Sequence, residues 1–63
     1  MRDLFQNPEL LPLEVQDLLF EWEDRGIDGL DYPELEIMLE EFEYYGYTFD
    51  YGLDAEPYDL RPL

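Results

Sequence analysis

Cysteine, histidine, serine and lysine are all missing from this chain of 63 residues, and each absence closes a line of chemistry. Without cysteine or histidine there is no disulfide to staple the fold and no zinc site of the usual Cys/His kind. Imidazole catalysis and the serine or thiol nucleophiles of most hydrolases are lost with them, which leaves carboxylates, tyrosine hydroxyls and Thr48 for any reaction. The expectation is a protein that is not an enzyme and calls for no cofactor. Basic residues are nearly absent as well. Arg2, Arg25 and Arg61 stand against 18 Asp and Glu, for a formal net charge of -15. A surface so negative is repelled by nucleic acid and by anionic lipid, so the expected partner is a basic protein surface or a cation, with no direct nucleic acid or membrane contact. No apolar run approaches the roughly 18 to 20 residues that span a bilayer. The start Met1-Arg2-Asp3-Leu4-Phe5 lacks the basic-then-apolar layout of a signal peptide, and a cytoplasmic protein is expected.

What is present opposes the disorder that such acidity would otherwise dictate. Hydrophobic residues make up 46% of the chain and aromatics 17%, enough for apolar burial to offset chain entropy in one small domain over residues 1–63. Residues 1–12 carry two prolines and no clear period; they read as an arm in which Asn7-Pro8-Glu9 caps a single turn and Leu4, Phe5, Leu10 and Leu11 pack onto the body. From Leu13 to Arg25, Val15, Leu18, Leu19 and Trp22 recur at the spacing of a buried helical stripe, and Gly26 ends the helix. Asp31-Tyr32-Pro33-Glu34 reads as an N-cap acid with Glu three residues on and Pro in the first turn. The second helix then carries the stripe Leu35, Met38, Leu39, Phe42 and Tyr45 to a stop at Gly46. The short link between the helices predicts an antiparallel hairpin over residues 13–46.

The period then switches from 3.6 to 2. Tyr47, Phe49 and Tyr51 alternate with Thr48 and Asp50, a turn follows at Gly52-Leu53-Asp54-Ala55, and Tyr58 alternating with Leu60 suggests a return strand that Pro57 and Pro62 confine to an edge. The predicted fold is α+β, a helical hairpin packed on a two-stranded β-hairpin over residues 47–63, in the order α-α-β-β. The tail from Gly46 to Arg61, GYTFDYGLDAEPYDLR, resembles the closing segment of small uncharacterised acidic proteins of gut bacteria and their mobile elements, including phages. That resemblance implies a bacterial host cell and no particular activity.

Two patterns point to function. Glu14, Asp17, Glu21 and Asp24 on the first helix and Glu36, Glu40 and Glu43 on the second, with Glu41 beside them, recur three or four residues apart. Like charges at that spacing destabilise a helix, so stability alone would not select them. Duplex DNA carries a comparable negative field, and a rigid scaffold of carboxylates can occupy the groove of a DNA-binding protein. The first expectation is therefore a DNA-mimicking inhibitor of a nucleic-acid-binding protein, a counter-defence role in a phage or mobile element. The plain alternative is a solvated face that keeps a small protein soluble.

The second pattern is what the core stripes leave out: Phe20 among Asp17, Glu21 and Asp24, and Ile37 and Tyr44 close to Glu40 and Glu41. Apolar residues among charges are the composition of a binding hot spot, where charge steers encounter and apolar burial holds the complex. They suit an acidic interaction module (an antitoxin, chaperone or assembly partner), coverage by the arm, or a homodimer, although a dimer would double the charge of -15. The loop from Asp24 to Glu34 has the look of an EF-hand, but it is one residue short of the 12 required and has Gly26 at the third position, so helix-cap grammar explains it better and no metal site is expected.

Overall fold

The computed structural model describes residues 3–63. Two helices precede an antiparallel β-hairpin: α1 spans Leu13–Asp24, α2 Tyr32–Tyr44, β1 Tyr47–Tyr51 and β2 Pro57–Pro62, with 3₁₀ turns at Pro8–Leu10 and Ile27–Gly29. The α+β order expected from the sequence is the order found. Both helices stop at glycine for the same reason. Gly26 and Gly46 adopt φ of 90°, a left-handed conformation that a side chain would oppose.

One core joins the two halves. Val15, Leu19 and Trp22 from α1 meet Leu35, Met38 and Phe42 from α2, and Phe49 and Leu60 close it from the hairpin. Phe49 is the hinge of the packing, its ring set edge-on to Phe42 at 6.0 Å and to Phe5 at 5.6 Å. The arm contributes Leu4 and Leu11 to the same core, while Leu10 is exposed, contrary to expectation, because it falls at the end of a single turn facing outward. Asp3 ties the arm down: its Oδ1 accepts from the backbone N–H of Phe5 at 2.9 Å and of Leu60 at 3.2 Å. The Leu4 N–H in turn donates to the Leu60 carbonyl at 3.0 Å. The outer edge of β2 is thus covered by the arm at Leu60.

Three other expectations fail locally. Asp31 precedes α2 in an extended conformation but makes no side-chain cap bond. Tyr45, placed in the core by helical period, is 41% exposed. The chain reverses at Gly46 and Phe49 fills the space at that end of α2, so Tyr45 is left at the rim. Tyr58 does not share a buried face with Leu60. The register runs from Thr48↔Arg61 to Asp50↔Tyr58, so Phe49 faces two residues, Asp59 and Leu60. Asp59 takes φ of 58° at this bulge, and the extra residue shifts the alternation and turns Tyr58 outward.

Candidate functional site

The helices carry the acids as two exposed rows. Asp17, Glu21 and Asp24 on α1 and Glu36, Glu40, Glu41 and Glu43 on α2 lie outside the core, since the apolar stripe of each helix has already claimed the inner face. The line density is high. Each helix holds five acids, over 12 residues in α1 and 13 in α2. At a rise of ~1.5 Å per residue that is a charge about every 4 Å of axis, close to the ~3.4 Å per strand of B-DNA.

No ion pair among the described residues offsets these rows. Among the described residues Arg61 makes the ion pairs, and it makes them in the hairpin, with Asp50 at 3.2 Å and Asp59 at 3.1 Å. Arg25, at the end of α1, lies with its guanidinium carbon 4.8 Å from the centre of the Trp22 ring. Of the acids in the rows, Glu41 also serves the core, because its Oε2 accepts from the indole Nε1–H of Trp22 at 2.6 Å. That bond satisfies the polar atom of a buried indole and links α1 to α2.

The apolar candidates stand outside the core, with Phe20 51% exposed, Ile37 52% and Tyr44 85%. They do not form one aromatic cluster. Tyr44 meets Tyr45 edge-on at 5.3 Å, whereas Phe20 has no ring partner among the described residues. Sequence reasoning overlooked the consequence of Tyr45 being at the surface. With Glu14, Asp17, Leu18 and Glu21 it lines a depression of about 280 Å³ between the start of α1 and the end of α2. The available signal was its place next to Gly46, where a helical stripe need no longer apply. A smaller depression, about 190 Å³, is lined by Phe5, Glu23, Ile27, Asp28 and Pro57.

Between the helices, the loop resembling a calcium site is instead a left-handed Gly26, a 3₁₀ turn and Leu30 buried in the core. Among the described residues no group of three or more carboxylates is arranged to hold a metal ion. Nor, among them, is any helix long and apolar enough to cross a membrane. No known protein family, curated protein or solved structure matches the chain.

Proposed function

We propose that the chain is a non-enzymatic inhibitor whose helices present a DNA-like acidic surface to a nucleic-acid-binding protein in the bacterial cytoplasm, as a phage or mobile-element counter-defence protein would. The observation that carries this reading is the line density of exposed acids on the two helices taken whole, near that of phosphates, with Arg25 and Arg61 engaged elsewhere. Inhibition would be by occlusion. The carboxylates of Asp17, Glu21, Asp24, Glu36, Glu40, Glu41 and Glu43 engage the Lys/Arg track that otherwise holds phosphates, and because the core fixes the helices, little ordering is required on binding.

The exposed Phe20, Ile37 and Tyr44 favour a second reading, an acidic interaction module held mainly by apolar contact. One experiment separates the two. Proteins captured from bacterial lysate on the immobilised chain at low salt are eluted with duplex DNA at constant ionic strength. Variants with Asp17, Glu21, Asp24, Glu36, Glu40 and Glu43 converted to their amides are compared with Phe20→Ala/Tyr44→Ala. A mimic loses its DNA-eluted partner with the amides and keeps it with the alanines. If the captured protein still binds and cuts DNA at low salt with the chain in saturating excess, mimicry is wrong.

A further inference from the structure

The depression beside Tyr45 joins three kinds of surface. Glu14, Asp17 and Glu21 recur at helical spacing along α1, and Leu18 lies between them, half-buried, as an apolar floor. Tyr45, the residue that follows α2, also lines it, its ring edge-on to that of Tyr44 at 5.3 Å and 86°. An aromatic face, an apolar floor and a row of carboxylates are the separate needs of one chemical group. A guanidinium is planar and weakly hydrated, stacks on aromatic rings, donates in a fork to carboxylates and arrives on an aliphatic stem. An ammonium uses the charge but gains less from the ring and the fork.

The molecule already places one of its own arginines over an aromatic ring. The Arg25 guanidinium lies over the Trp22 ring at 4.8 Å, and the indole of Trp22 is itself bonded to the carboxylate of Glu41. Arg61 is held in the hairpin by Asp50 and Asp59. We propose that the depression formed by Glu14, Asp17, Leu18, Glu21 and Tyr45 is a binding site for an arginine side chain of a basic partner protein. The inference deepens the acidic-surface reading and rests on its basic partner, but not on likeness to DNA. It makes the surface selective: the acid rows attract any polycation, and this site favours those that carry arginine.

The test is calorimetric titration of the full chain with hexa-arginine and hexa-lysine, peptides of equal charge, at one low ionic strength. Hexa-arginine should bind about twofold to fivefold tighter, the gain of one exposed cation–π contact. Tyr45→Leu should erase that preference, and Tyr45→Phe, which keeps the ring, should preserve it. Both leave the fold intact because Tyr45 is outside the core. Neutralising Glu36, Glu40 and Glu43 together, on the other helix, should weaken both peptides and leave their ratio unchanged. Equal affinities for the two peptides, no binding of either, or a preference that survives Tyr45→Leu would overturn the site. DNA competition is read separately, so failure here leaves the mimic proposal standing or falling on its own experiment.

Discussion

The helical half and the hairpin half of this molecule treat negative charge in opposite ways. In the hairpin, Arg61 gathers Asp50 and Asp59 into one group that also uses the Asp59 carbonyl, so charge is spent on holding a bulged strand in register. On α1 and α2 no ion pair among the described residues reaches the acids, and the described core beneath them is made of apolar residues, with Glu41 touching it through the Trp22 indole. The difference separates charge that serves folding from charge that folding merely tolerates. Only the second kind is available to be selected for a partner.

The largest test of that division asks whether the halves depend on one core at all. Phe42 is fully buried and meets Phe49 across the boundary. Replacing it with alanine should cost roughly 3 to 5 kcal/mol, enough to unfold a domain this small, with helix and hairpin signals lost together in circular dichroism and amide exchange. If the helices persisted while the hairpin melted, the halves would be separate units. Next in size is Asp3→Ala, which strips the acceptor shared by Phe5 and Leu60 and should cost about 1 to 3 kcal/mol, with the Leu60 amide losing protection first.

Ala55 sharpens the contrast from the hairpin side. It holds φ of 60° in the turn, so Ala55→Gly should stabilise by about 0.4 to 1 kcal/mol, against the usual direction of that exchange, as read by denaturant midpoint. The smallest effect belongs to the helices. Glu40→Gln should raise stability by only a few tenths of a kcal/mol, because it relieves repulsion with Glu36 and Glu43 in the half of α2 where the helix dipole also disfavours an acid. Modest salt should likewise raise the melting temperature. A helix acid other than Glu41 whose neutralisation destabilised the fold by more than about 1 kcal/mol would belong with the hairpin charges after all.

How much was legible in the sequence follows the range of the interaction involved. Helical stripes, the glycine stops and the alternation in β1 are local, and residues such as Leu19, Phe42 and Gly46 announce them. The exposure of the helix acids follows from the same periodicity. What escaped depends on partners distant in the chain. Asp3 acts on Leu60, 57 residues away. Tyr32 donates its hydroxyl proton to the Leu53 carbonyl and so pins the hairpin turn to the start of α2. The bulge at Asp59 shows itself only once β1 and β2 are paired, and it decides that Tyr58 faces outward. Tyr45 fell between the two regimes: its period was helical but its backbone was already turning, and the depression it helps to form went unseen.

The bond from Trp22 to Glu41 makes the inside of the molecule responsive to its outside. Trp22 is the chain's single tryptophan, so its emission comes from one ring, buried in the core, with a carboxylate on its nitrogen and a guanidinium over its face. A cation that pairs with the Glu41 carboxylate, on either oxygen, would alter the field at the indole that donates to its Oε2, and the colour and lifetime of that emission would change with it. For the proposed partner, this emission would then serve as an intrinsic optical gauge of occupancy at Glu41, with no label to attach.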